Sequence, residues 1–321
     1  MSDQSHVSGA PWGADSIWLH RLALLTSGMT LVLIFFGGLV TNTGSALAVP
    51  DWPTTFGYSM FLYPWSKMVG GIFYEHSHRL VGSVVGLLTL TLALWLWIKE
   101  PRRWLRGLGT LARVAVIAQV LLGGLRVVLP SAGVGLAILH GCLGQAFFAL
   151  TVVLALCTAR GWTQAPPKIV ASDAGRLRRL SILTAGLMLL QMIFGALLTH
   201  AGMVFSAHLL LAALVTIHVF VLAARIRKCH SDQPRLVGPA TLLGALVVLQ
   251  LLLGLGSYVG RFTSIELPYG SLTGLALPIA HRVTGALLLA ACLVLTLRAY
   301  RLVASPEAAV GRVVAAQGMP A

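Results

Sequence analysis

The sequence predicts an all-α integral membrane protein, with eight transmembrane helices arranged as two pseudo-repeated four-helix bundles. Composition, the spacing of apolar runs and a recurring hairpin pattern carry that expectation. Of the 321 residues, 57% are hydrophobic and only 10% are charged, whereas a soluble domain carries roughly 25% charged residues. So few charges cannot cover a soluble surface of this size, and lipid is the expected solvent. The apolar residues fall into eight runs: 22–40, 72–98, 108–129, 136–159, 180–200, 206–227, 238–260 and 276–298. Each approaches the roughly 20 residues needed to cross a bilayer. The chain then divides into an N-terminal segment (1–21), a first four-helix half (22–160), a linker (161–179), a second half (180–300) and a tail (301–321).

Charge orients the helices. The net charge is +14, which on a soluble chain would suggest nucleic acid, but the basic residues sit in short loops between apolar runs. That distribution sets membrane orientation, because Lys and Arg are retained on the cytoplasmic side. Lys99, Arg102, Arg103 and Arg106 follow the second run, and Arg160, Lys168, Arg176, Arg178 and Arg179 follow the fourth. Arg225, Arg227, Lys228 and Arg235 follow the sixth, and Arg298 and Arg301 the eighth. The opposite face holds Lys67, Arg79, Arg126, Arg261 and Arg282, five of 23 basic residues. Segment 1–21, the linker and the tail are thus expected in the cytoplasm, and the long loop 41–71 outside. No nucleic-acid partner is expected. The polar first 20 residues lack the apolar core of a cleavable signal, so the first helix is expected to direct insertion. None of Cys142, Cys157, Cys229 and Cys292 falls in an expected outer loop, and no structural disulfide is expected.

Each odd helix ends outside in a glycine-containing segment: FFGGLV (35–40), LLGGLR (121–126), IFGALL (193–198) and LLGLGS (252–257). A histidine follows at the start of the next helix in every case: His78, His140, His208 and His281. Two of these starts, HRLVG (78–82) and HRVTG (281–285), are nearly identical. One membrane histidine commonly serves a hydrogen bond to a neighbouring helix; four at equivalent positions point to ligands, since neutral imidazole is the commonest biological metal ligand. Facing helices can clamp a haem through two axial histidines. The repeat pairs His78 with His140 and His208 with His281, giving two haem-sized sites at one depth near the outer face. Arg79 and Arg282, directly after their histidines, suit the two haem propionates as charge-assisted donors. Lys67, Arg126 and Arg261 share that face. A bare metal would need supporting Cys or Asp ligands that the pattern lacks.

Glu75 lies three residues before His78, one helical turn away and on the same face. A carboxylate there could exchange protons or stabilise positive charge. The corresponding residue before His281 is Pro278. The asymmetry suggests a reacting site in the first half and a fixed cofactor in the second. His76 faces roughly away from the site on a helical wheel and is expected at the interface. His200 is expected near propionates or water, His218 in a helix–helix hydrogen bond, and His20 and His230 in solvent. Gln119, Gln145, Gln191 and Gln250 can make interhelical polar contacts.

The segments GGLVTNTGSALAVPDWPTTFG (37–57), FYEHSHRLVGS (73–83), LHGCLGQ (139–145), SAHLLLA (206–212) and AHRVTGA (280–286) resemble the haem A synthase family. The resemblance runs from about residue 20 to 300. It implies an eight-helix bacterial cytoplasmic-membrane enzyme that oxidises a methyl group of haem O to the formyl group of haem A by successive hydroxylations, for cytochrome oxidase assembly. It further implies haem b on His208 and His281, substrate haem O flanked by His78 and His140, and Glu75 acting at the oxidised methyl. Haem O synthase and an electron-transfer protein are the partners it suggests, and a homo-oligomer is compatible with it. The chain departs from members that carry a cysteine pair in the first outer loop, so no thiol step tied to that pair is expected. Two other readings fit the histidines alone: a di-haem electron carrier, and a haem transporter or chaperone.

Overall fold

The computed structural model describes residues 17–164 and 168–307. Parts of the expected N-terminal segment (1–16), linker (165–167) and tail (308–321) therefore lie outside the described residues. Among the described residues eight helices are long and apolar enough to span a membrane. They are α1 Ile17–Asn42, α2 Gly70–Lys99, α3 Arg103–Val128 and α4 Gly133–Thr158. The second half supplies α5 Ala174–Ala201, α6 Phe205–Cys229, α7 Pro234–Phe262 and α8 Ser271–Leu302. The protein is an all-α, multi-pass membrane protein, as its apolar runs predict.

The helices outrun the apolar segments at most ends. Even the 25 residues of α6 extend about 37 Å at 1.5 Å per residue, beyond the roughly 30 Å hydrocarbon core. The added turns carry charges such as Arg103, Arg106, Arg176 and Lys228, which stay helical while their long side chains reach the headgroups. Large apolar side chains on the outer surface, among them Leu87, Leu94, Leu111, Leu210 and Leu252, are exposed and face lipid.

Helices α1 to α4 pack in a ring, each against its chain neighbours and α1 against α4; α5 to α8 repeat the arrangement. The rings meet through α1 on α8, α4 on α8 and α4 on α5. Each ring has its own core, the first around Leu92, Leu96, Leu105 and Leu154, the second around Leu177, Leu222, Leu243 and Leu295. Phe148, Ala286 and Ala290 fill the seam between them. Small residues let helices approach closely where lipid competes for apolar surface. Gly38 illustrates this, since a Cβ there would stand 3.2 Å from the Ile279 side chain.

At the face opposite the long loop, polar contacts tie chain segments together. Arg102 grips Glu100 through Nε at 2.6 Å and Nη2 at 2.9 Å, and donates to the Cys157 carbonyl at 3.1 Å. Burial pushes the Glu100 carboxyl up, but the Arg102 bonds outweigh it and hold the group below its usual range. Asp173 accepts from Arg225 at 3.3 Å and from His230 at 3.1 Å. His230 is 2% exposed, contrary to its expected solvent position, because the segment before α5 folds onto the end of α6. His20 is likewise drawn inward, its Nδ1 3.0 Å from the Ala155 carbonyl. His218 bonds not to a neighbouring helix but to Leu214 in its own, at 2.9 Å. All four cysteines are free.

Candidate functional site

The site is built from one motif used four times. In each hairpin a glycine of the odd helix leaves room for the histidine ring of the even helix. A Cβ on Gly37 would lie 3.3 Å from His78 Cε1, on Gly123 3.5 Å from His140 Cε1, on Gly195 3.4 Å from His208 Cε1, and on Gly254 3.0 Å from His281 Cε1. The glycines flagged by the repeat are thus the cradles of the histidines. One turn earlier on three of the odd helices stands a glutamine. Gln119 Nε2 donates to the His140 carbonyl at 3.1 Å, and Gln191 Nε2 to the His208 carbonyl at 3.1 Å. Gln250 Nε2 is 3.2 Å from His281 Nε2, while the Gln250 carbonyl is 3.2 Å from His281 Nδ1.

The histidines come together in the expected pairs. The His78 and His140 ring centroids are 6.4 Å apart with planes at 72°, and those of His208 and His281 are 6.5 Å apart at 62°. Two imidazole nitrogens each about 2 Å from a metal, with ring centres roughly 1 Å further back, would give centroids about 6 Å apart. Both pairs are therefore spaced so that one iron could be held between the two rings. Among the described residues no three His, Cys, Asp or Glu side chains converge as a bare metal ion would require. A planar macrocycle supplying the remaining ligands suits such a two-histidine set.

The first pair has an added layer. Glu75 is 6% exposed; its Oε2 accepts from the Val49 N–H at 2.9 Å and its Oε1 from Arg79 Nη2 at 2.7 Å. Arg79 also donates to the carbonyls of Val49, Asp51 and Thr54 at 3.0, 2.7 and 3.1 Å. Its guanidinium is committed to the long loop, which it fastens over α2. Asp51 shapes that loop by accepting from Phe56 N–H at 2.7 Å, Gly57 N–H at 2.9 Å and the Thr54 hydroxyl at 2.5 Å. Partial burial pushes the Asp51 carboxyl up, but the bonds from Gly57, Thr54 and Phe56 prevail and hold it below its usual range. From the same loop Trp52 reaches α3, where a Cβ on Gly124 would fall inside the indole. His76, expected at the interface, is 1% exposed and shares a 3.1 Å hydrogen bond with Thr55. The wheel argument fails there because the loop folds back over that face of α2.

Arg282 takes a different path from Arg79. Its Nη1 points across the seam to α1, 3.2 Å from Thr41 Oγ1 and 3.4 Å from the Gly37 carbonyl. Arg126 and Arg261 lie within electrostatic reach of Arg282, and all three within reach of His200. Arg126 is also within reach of Glu75, His78 and His140. This is a concentration of positive charge between the two histidine pairs, suited to carboxylates. Lys67 turns away to Tyr58, 3.2 Å from its hydroxyl. Sequence reasoning missed Asp51 and Trp52, although both stand in the loop motif that carried the resemblance.

The model of a family described as "Cytochrome oxidase assembly protein" matches residues 20–207, which include Glu75, His78 and His140 and end one residue before His208. A protein of Shouchella clausii named "Heme A synthase" is 36% identical over 138 residues, covering 42% of this chain and 44% of its own length. One of Alkalihalophilus pseudofirmus with the same name is 32% identical over 148 residues, 45% and 48% of the two chains. Another, of Exiguobacterium sibiricum, is 29% identical over 186 residues, 57% and 60%. The alignments with the first two thus span a little under half the length of those relatives.

Proposed function

Because the chain belongs to the COX15-CtaA family of cytochrome oxidase assembly proteins, we propose that it is a haem A synthase, oxidising a methyl group of haem O to the formyl group of haem A. The observation that carries the reading is the asymmetry between two equivalent histidine pairs, only one of which has a carboxylate beside it. Haem O would bind as substrate between His78 and His140, and haem b as resident cofactor between His208 and His281. A b-type haem supplies one-electron chemistry when bound. The protein's own contribution is binding, charge and enclosure. Arg282, Arg126 and Arg261 offer donors to propionates between the sites. Glu75, with both oxygens accepting from the Val49 N–H and Arg79, is held in one orientation beside the first pair, where it would stabilise positive charge or exchange a proton. Arg79 holds that carboxylate and the loop together, and the loop limits water above the first site.

In this reading 1–21, the linker and 301–321 face the cytoplasm and the histidines lie near the outer leaflet, following the excess of Lys and Arg at the opposite helix ends. Haem O is sparingly soluble, so a haem O-producing enzyme is a natural membrane partner, and an electron-transfer protein would complete the redox cycle.

The test is extraction and chromatography of haems from membranes of a haem O-producing host with and without the protein. Haem A or its alcohol precursor is expected only with it. Glu75→Ala should abolish conversion, by at least about 100-fold if it supplies a buried electrostatic contribution of the usual size, while second-half haem stays bound. Normal haem A output from Glu75→Ala would remove its catalytic role. A folded, haem-loaded protein that makes no haem A even with a reductase supplied would leave an electron carrier as the function.

A further inference from the structure

Resting on the proposal that both pairs bind haem, we infer that Gln119, Gln191 and Gln250 lock their histidines as ligands, and that Leu33 leaves His78 as the exchangeable one. The four hairpins serve as internal controls for one another. The residue four before the cradle glycine is Gln119, Gln191 or Gln250 in three of them and Leu33 in the first. The equivalence holds in space. A Cβ on Gly144, four residues after His140, would stand 3.0 Å from Gln119 Nε2; on Gly285, four after His281, 3.5 Å from Gln250 Nε2. On Gly82, four after His78, it would stand 3.8 Å from Leu33 Cδ1. Leu33 therefore occupies the place of the amide without its donor.

A side-chain amide bonded across two helices at ligand height resists sliding or rotation of the even helix, and in lipid no water replaces the bond when it breaks. When Nε2 is given to iron, the amide can still hold the carbonyl of the histidine itself, as it does at His140 and His208. His78 has no such tether: among the described residues Nδ1 is unpartnered there as it is in His140 and His208, but where those hairpins place an amide the first places the Leu33 methyl groups. A site that must admit a substrate haem and discharge a product needs one ligand that lets go. A resident cofactor needs two that do not. The contacts are distributed accordingly: in the second pair Gln191 holds the His208 carbonyl and the Gln250 main-chain carbonyl holds His281 Nδ1, and in the first Gln119 holds His140 alone.

The test is transfer of haem from the purified, loaded full-length protein to excess apomyoglobin, followed optically. Two phases are expected, the fast one absent from His78→Ala and the slow one absent from His281→Ala. Leu33→Gln should slow the fast phase about tenfold, equivalent to about 1.4 kcal/mol. Gln191→Leu, which removes the bond to the His208 carbonyl, should speed the slow phase by a similar factor while the low-spin bis-histidine resonance persists, which a merely unfolded site would lose. Unchanged rates in Leu33→Gln overturn the inference. If that variant does not load haem, Gln191→Leu and Gln119→Leu decide, and unaltered release from both overturns it as well. The assay needs no turnover: ordered rates in a protein that makes no haem A would defeat the enzymatic reading alone. Haem A production with unaltered rates would defeat this inference alone.

Discussion

A glycine that touches a ligand ring is sensitive to a single methyl group. Gly254 has the tightest cradle, with a Cβ meeting His281 Cε1 at 3.0 Å and Nδ1 at 3.4 Å. Overpacking of this kind costs about 1–3 kcal/mol, here felt as displacement of the ring. Gly254→Ala is expected to lower haem retention in the second half several-fold, read from the low-spin spectrum, whereas Gly186→Ala, with open space around it, should behave as the parent. Equal spectra would mean that the ring does not need the cradle. At this scale the sequence was highly legible for the four histidines and Glu75, because a rare polar side chain in an apolar run stands out. It was less so for Arg79 and Arg282. Both follow a histidine, yet one turns into the loop and the other across the seam, a difference fixed by neighbours far away in sequence.

The long loop between α1 and α2 is the element whose structure least follows from local pattern. Its Gly, Pro and aromatic content announces turns, but its contacts are with distant residues: Val49 with Glu75, Trp52 with Gly124, Thr55 with His76. That is why His76 could be misplaced while the helices beside it were found. Asp51 makes the loop's closure pH-dependent. Its carboxyl is held below its usual value, so the stabilisation is present above about pH 4 and fades as pH falls through the lowered folded-state value. Proteolytic nicking between Asp51 and Tyr58 should therefore be constant from pH 7 down to about 4 and rise below it, by an acid-stable protease. Asp51→Asn should nick faster above about pH 4, converge with the parent in acid and lose the threshold; an unchanged profile would deny Asp51 that role. Gly124→Ala, which evicts the Trp52 indole, should expose the same segment at neutral pH.

Across the whole molecule the two rings are not independent modules placed side by side. The internal repeat made two halves legible, but not that α1, α4, α5 and α8 form the seam, since apolar runs carry no record of which face meets protein and which meets lipid. The seam matters because it carries a chain of contacts from one pair to the other. His281 is followed by Arg282, whose guanidinium reaches the carbonyl of Gly37 and the hydroxyl of Thr41, and Gly37 cradles His78. In lipid, helices associate through close packing and polar contacts rather than through apolar burial, so this bond and the Gly38–Ile279 contact should count heavily. Expressed as two chains divided after Gln164, the halves are expected to copurify through a tag on either one. Arg282→Ala should reduce recovery of the untagged half several-fold. Arg298→Ala, whose bond to the Arg235 carbonyl lies within the second half, should leave it unchanged. Full recovery with Arg282→Ala would assign the association to side-chain packing alone, with Phe148, Ala286 and Ala290 in the seam.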